Sequence, residues 1–401
     1  MAGYFHTLVT IHYFRYVRKQ KIIFFTYFFL PFRKYFRHHG AMTCAHTVNK
    51  SFAPGRVELL GNHTDYNAGV VLSASLDLGV TVEGTARDDG KILLSWAGEP
   101  GEFLFDAPER TGRWTDYPLG VVKFLREGGH AVGGFTARFS NTLPFGSGLS
   151  SSAAIEVATA FFLARTYSLD IAPMDMARLC RRAECEFVGV NCGLLDQASS
   201  IFGRAGHVIY LDCRTETVEL DTMPADYALL IVNSGVKHAL TGGEYNERRA
   251  ACFDAAKILG VPFLRDATSD ALARADMPET IRRRAAHVIG ENERVFAARK
   301  ALHCGDAAAF GRLMLASHES SRHNFENSTP ELDLLVELAA AQDGILGARL
   351  TGGGFGGSIV SLGHREALPE AAEKITERYT QKTSHRATPL ICSPGNGALA
   401  I

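Results

Sequence analysis

Between Phe52 and Gly84 the chain mixes apolar and polar positions at short period. Val57-Glu58-Leu59-Leu60 reads as a strand, Gly61 to Asn67 as a polar turn, and Val70 to Val82, with its β-branched and small residues, as a second strand. Lys91 to Trp96 and Phe135 to Phe139 are strand-like as well. From Ala153 to Thr166 the period changes: Ala154, Ala158, Phe161, Phe162 and Leu163 follow the helical step. A second helix is predicted from Met174 to Val188, stopping near Gly189. Tyr227 to Asn233 is an apolar run suited to a buried strand. Tyr245 to Leu259, Pro278 to His303 and Pro330 to Gln342 predict long helices, and Leu350 to Leu362 a strand pair around glycines. Strands and helices without strict alternation predict an α+β fold, not a doubly wound sheet. No repeat of about 20–50 residues is visible.

Composition adds scale. The 401 residues are 46% hydrophobic and 21% charged, enough to bury a real core and to exclude a disordered regulator. Two domains are expected, 42–212 and 213–401, divided in the motif-poor stretch around Gly203–Asp221. A net charge of −1 gives no electrostatic pull toward nucleic acid or a membrane, and neither is expected as a partner. Residues 1–41 stand apart, with seven basic residues, no acid and 13 of the 39 aromatics. Their apolar run Ile22–Leu30 falls short of the roughly 20 residues a membrane helix needs. They are expected to be a disordered or spurious leader, with Met42 as an alternative start. The eight cysteines form no Cys-x-x-Cys pair, which argues against a zinc ribbon or a disulfide framework and for a reducing cytoplasm.

Three segments carry candidate chemistry. Pro144-Phe145-Gly146-Ser147-Gly148-Leu149-Ser150-Ser151-Ser152 runs straight into the first predicted helix. Its glycines permit close backbone approach, and the helix start offers free N–H groups, so the segment suits phosphate. No Gly-Lys-Ser/Thr follows, which excludes a Walker loop. Gly352-Gly353-Gly354-Phe355-Gly356-Gly357 matches a dinucleotide fingerprint in letters only, because Ser358 to Leu362 reads as a strand; a glycine turn packed near a ligand or the first loop fits better. Arg56, Asn62, His63, Asp65 and Tyr66 crowd one short turn, a polar density suited to a polyhydroxylated ligand. Asp196 lies in an otherwise apolar run and needs a partner if buried, for which Arg56 is the candidate. His318 and His323, five apart, do not share a helix face and are not a zinc pair.

Taken together, the turn Ala53–Asn67, the loop Leu143–Ala154, Cys192–Gln197, Asn233–His238, Glu244-Tyr245 with Arg248-Arg249, Ser328–Asp333 and Thr351–Gly357 resemble, in order, the motifs of the GHMP kinase superfamily and within it the galactokinase family. The resemblance implies an α+β architecture of two domains: an N-terminal one like ribosomal protein S5 domain 2 and a ferredoxin-like C-terminal one, with the active site in the cleft between them. It implies ATP-dependent phosphorylation of the C1 hydroxyl of α-D-galactose, the entry step of the Leloir pathway, by a cytoplasmic monomer. Asp196 would be the catalytic carboxylate with Arg56 beside it. Asn62, His63, Asp65, Gly193 and Tyr245 would bind the sugar. The backbone of Gly146, Ser147, Gly148, Leu149, Ser150 and Ser151 would wrap the phosphates of ATP, while Ser152 and Glu184 would hold Mg²⁺. Lys237 would stand near the site where relatives often have arginine. Asn62 departs from the family pattern, which has glutamate there near the sugar's 6-hydroxyl, so weaker binding or altered preference at C6 is expected. A kinase for a related sugar such as N-acetylgalactosamine, and a non-catalytic galactose and ATP sensor, are the alternatives; such sensors lack the Ser152-Ala153 pair.

Overall fold

The computed structural model describes residues 47–144, 146–237 and 243–400, and of Lys237 the backbone only. The leader expectation for residues 1–41 and any role of the Lys237 side chain lie outside the described residues. In chain order the first half contains β1 (Asn49–Leu60), β2 (Val70–Arg87), β3 (Ile92–Trp96), β4 (Glu102–Phe105), α1 (Asp116–Glu127), β5 (Gly134–Asn141), α2 (Ser151–Tyr167), α3 (Pro173–Arg182), α4 (Leu195–Phe202), β6 (His207–Asp212) and β7 (Thr217–Thr222). The second contains β8 (Tyr227–Lys237), α5 (Gly243–Leu259), α6 (Ser269–Arg274), α7 (Glu279–His303), α8 (Ala307–Ser320), α9 (Pro330–Ala340), β9 (Ile345–Thr351), β10 (Gly356–His364), α10 (Leu368–Thr383), β11 (Thr388–Cys392) and β12 (Leu399–Ala400).

The strands form two sheets. The larger runs β12-β1-β2-β5-β3-β4, with β6 and β7 attached through β2. At 18 residues β2 is long enough to serve two partners, β6 along Val70–Ser73 and β5 along Val80–Arg87. All pairings in the larger sheet are antiparallel except β3 with β5. The smaller sheet, β11-β8-β10-β9, is antiparallel throughout. The expected boundary after residue 212 falls between β6 and β7, two strands of one hairpin in the larger sheet.

Helix α2 is apolar nearly all round and correspondingly buried, lying against β1 and β2. Ala153, Ala154, Ala158 and Ala160 keep it close to neighbouring elements. The smaller sheet buries Leu230, Val232 and Ile359 against Leu335 of α9 and Ile375 and Tyr379 of α10. The predicted helix at 174–188 is α3 followed by one π-helical turn, Ala183–Val188, which Gly189 ends at φ 88°. The two sheets meet through Arg349 on β9 and Glu58 on β1, a fully enclosed ion pair at 3.1 Å. Alongside it, the Glu58 amide donates to Thr351 Oγ1 at 2.8 Å.

Candidate active site

The segment between β5 and α2 turns through three left-handed residues, Gly146 (φ 66°), Gly148 (φ 73°) and Ser150 (φ 57°). Its carbonyls are held from behind. Ser358 Oγ donates to Ser147 O at 2.6 Å, Arg56 Nη1 to Gly148 O at 2.8 Å, and the Arg56 amide to Leu149 O at 3.1 Å. With the carbonyls engaged on the protein side, the N–H groups at the start of α2 remain for an anion, as the first turn of a helix dictates. The serines divide the work. Ser147 Oγ closes the turn onto Pro144 O, and Ser150 Oγ donates to Asp196 Oδ2 at 2.6 Å. That bond steadies Ser150 in a conformation unusual for a residue other than glycine.

Asp196 stands in the first turn of α4, where the helix dipole favours an anion. Its other oxygen, Oδ1, accepts from Arg56 Nε at 2.7 Å, so the pairing foreseen from sequence is present. Arg56 is buried and joins three elements, its own strand, the loop before α2, and α4.

The turn after β1 is fastened to α7. Glu291 accepts the amides of Gly61 and Asn62 at 2.8 and 2.9 Å. Burial works against its charge, yet Arg294 and the other neighbouring cations hold its carboxyl well below the usual carboxylate range. Asp65 accepts from the Tyr66 amide at 2.9 Å and abuts Gly193 so closely that a Cβ there would lie 1.7 Å from Oδ2. Desolvation, with Glu58 adding repulsion, pushes Asp65 up to about 7. Burial lowers His63 to about 4, so it is neutral. Its Nε2 donates to Gly353 O at 3.2 Å, which leaves Nδ1 to accept from Tyr66 OH at 2.9 Å. Tyr245, at the start of α5, packs on His63 at 5.3 Å between ring centres.

Asn62 is buried with its amide already engaged. Nδ2 donates to Gly352 O at 2.8 Å and Glu58 Oε2 at 3.3 Å, and Oδ1 accepts from Asn327 Nδ2 at 2.9 Å. The carboxylate in this corner therefore belongs to Glu58. The glycine turn 352–357 leads into strand β10 and its carbonyls serve Asn62, His63 and Asn327, a packing role consistent with the reading of a turn near the first loop.

Glu184, in the π turn, sits between Ser152, Gln197 Nε2 at 2.7 Å and Cys192 Sγ at 3.4 Å. Burial and then the charge of Asp196 push it up to about 7. Gln197 also donates to buried Glu156 at 3.0 Å, whose carboxyl burial drives well above its ordinary value.

Two cavities flank the loop. One of about 260 Å³ is lined by Arg56, Glu58, Asn62, His63, Asp65, Glu184, Cys192, Gly193, Asp196 and Tyr245, among others. All the residues expected to bind sugar or act on it thus converge on one space. It is small for a drug-sized ligand, for which roughly 300–1,000 Å³ is usual. The other, about 210 Å³, lies between Trp96, Trp114, Tyr117 and Ile155 and reaches Ser151 and Ser152. Sequence reading missed this aromatic wall, and also Glu58, Glu291 and Asn327. The available signal was scarcity: the chain has two tryptophans and both line this cavity. Among the described residues no group of three or more His, Cys, Asp or Glu could hold a metal, and His318 and His323 pair instead with Asp333 and Glu319.

Residues 41–85 match the family model of the galactokinase galactose-binding signature, 116–204 that of the GHMP kinases N terminal domain, and 298–381 that of the GHMP kinases C terminal. A galactokinase of Thermotoga neapolitana is 38% identical over 333 residues, covering 82% of this chain and 93% of its own. The structure of Lactococcus lactis galactokinase complexed with galactose superposes with a TM-score of 0.85 at 33% identity, covering 88% of this chain and 95% of that one. Mevalonate kinase of Methanococcus jannaschii, at 19% identity and a TM-score of 0.63 over 88% of this chain and 100% of that one, shares the fold. The chain belongs to the galactokinase family, within the GHMP kinases.

Proposed function

We propose that this protein transfers the γ-phosphoryl group of ATP to the C1 hydroxyl of α-D-galactose, giving galactose 1-phosphate and ADP. One observation carries the reading: Arg56, Asp196 and Ser150 form a hydrogen-bonded junction where the polar cavity meets the start of α2. A sugar in that cavity has its hydroxyl on one side of the junction and phosphates at the helix start on the other. The aromatic cavity beside Ser151 and Ser152 suits the flat adenine ring.

In this reading Asp196 accepts a hydrogen bond from the C1 hydroxyl and aims its oxygen at the γ-phosphorus. As the new P–O bond forms and the bond to the β-phosphate oxygen breaks, the hydroxyl proton passes to Asp196. Phosphoryl transfer through a loose transition state asks mainly for positioning and charge neutralisation, which the fixed pair supplies. Asp65 and Gly193 form the opposing wall for the sugar's ring hydroxyls. Ser152 and Glu184 are the residues that fit Mg²⁺: their donors are all oxygen, and a carboxyl pushed up to about 7 by burial beside another acid is one that a cation would restore to its charged form. When bound, that ion would offset the charge of the phosphates.

The test is ADP release by the purified chain with galactose, N-acetylgalactosamine, glucose and 6-deoxygalactose. Galactose is expected to be turned over fastest; turnover confined to another sugar, or binding of galactose and ATP without ADP release, would overturn the proposal. Asp196→Asn is expected to lower kcat by about 10²–10⁴-fold with little change in galactose affinity, the range for loss of a positioned acid–base group. Equal losses in rate and affinity would remove Asp196 from the transfer step.

A further inference from the structure

Two thiols meet beside the polar cavity, one of them on its lining. Cys185 belongs to the π turn after α3, and Cys192 immediately precedes Gly193. Their sulphurs lie 3.6 Å apart, and neither is in a disulfide. Cys185 Sγ also faces the Cys192 carbonyl at 3.7 Å. The left-handed turn at Gly189 folds the intervening segment back on itself, so only a short closed loop separates the pair. Cys192 lines the cavity and donates its thiol hydrogen to Glu184 Oε2 at 3.4 Å.

We infer that Cys185 and Cys192 are a modification site: a dithiol that a hydroperoxide converts to a disulfide, closing down the sugar cavity. One sulphur attacks the peroxide oxygen, the O–O bond breaks, and a sulfenic acid and one water result. The second sulphur then attacks the first, the S–O bond breaks, and a second water leaves. Two thiols and one hydrogen peroxide thus become one disulfide and two waters. The short loop between the cysteines makes closure entropically inexpensive.

The consequence for the site follows from its packing. Disulfide bonding needs the sulphurs at about 2.05 Å, so they must approach by roughly 1.5 Å. The thiol hydrogen that Glu184 now receives is lost. Gly193, next in the chain, has no freedom to follow, because it already lies against the Asp65 carboxylate. Oxidation therefore disturbs Glu184 and the Asp65 wall together. Of the other described cysteines, Cys180, Cys252 and Cys392 are buried, Cys213 is half-buried and Cys304 is exposed.

The rate measurement rests on the galactose reading above, whereas detection of the disulfide does not. The full chain is reduced, freed of reductant, exposed to hydrogen peroxide at about equimolar dose, alkylated and digested with trypsin. Peptide 183–204, which carries both cysteines, is expected to resist alkylation and to be lighter by two hydrogens. The value of kcat/KM for galactose is expected to fall by about tenfold or more and to return with dithiothreitol. Cys185→Ser and Cys185→Ala are expected to keep the reduced-state rate and to resist the peroxide. Absence of the internal disulfide, its formation with unchanged kcat/KM, or equal inactivation of the Cys185 variants would each overturn the proposal. A reduced chain inert toward galactose would strike the functional reading instead, and the peptide mass keeps the two failures apart.

Discussion

Arg56 makes its contacts to Asp196, Gly148 and Leu149 at one junction, and the sequence signalled the first of these because a carboxylate in an apolar run needs a cation. Asp65 was equally visible as a polar group in a turn, but its environment was not. Desolvation pushes it up to about 7; with a sugar hydroxyl bound to the anion, as proposed, galactose binding should be constant above that pH and weaken below it by about tenfold per unit. Calorimetric titration with galactose between pH 5.5 and 8 checks the slope, and Asp65→Asn should flatten it. Asn62 and Glu58 make a different point. The sequence marked Asn62 as a departure, while the structure places the local carboxylate at Glu58, 3.3 Å from the Asn62 amide. Asn62→Glu alone would crowd two carboxylates and is expected to cost on the order of 1–3 kcal/mol in galactose binding. Adding Glu58→Asn should recover most of that loss, measured as kcat/KM for galactose.

At the scale of elements, α2 was legible because nearly every position is apolar and the serines mark its start. In α10, Leu368, Ala371, Ala372, Ile375 and Tyr379 keep helical spacing, yet no candidate chemistry drew attention to them. The motif-poor stretch around Gly203–Asp221 folds as the hairpin of β6 and β7, whose job is to cover β2. The π turn at Ala183–Val188 was not legible, since a widened turn has the same apolar period as the helix it interrupts. It matters because it carries Glu184 and Cys185 toward the cavity. Gly193 shows what such segments demand. A methyl group there would overlap Asp65, so Gly193→Ala is expected to lower galactose affinity by about tenfold or more while leaving nucleotide affinity near its original value. Separate titrations with galactose and with an ATP analogue test this.

The two sheets are joined at Glu58, on the wall of the polar cavity, and Arg349. Removing one partner of a buried pair leaves an uncompensated charge, so Arg349→Met should destabilise by about 3–5 kcal/mol at alkaline pH. Burial already raises the Glu58 carboxyl, and losing Arg349 raises it further. A carboxyl with a raised folded-state value gives stability at low pH that is lost as pH climbs through that value. The variant's deficit should therefore be larger at pH 8 than at pH 5.5, as read by urea unfolding; an equal deficit would show that the pair acts through packing. The sequence by itself determined the α+β class, the ordered motifs, the glycine and serine turn that opens α2 and the need of Asp196 for Arg56. Each is a local property, set by hydrophobic period, backbone freedom or the cost of a lone charge. Only the tertiary structure decided that Glu58 supplies the carboxylate beside Asn62, that two tryptophans wall one cavity, and that two cysteines face each other beside the other, polar one. Those relations depend on which segments the sheets bring within a few ångströms, and no spacing along the chain encodes that distance.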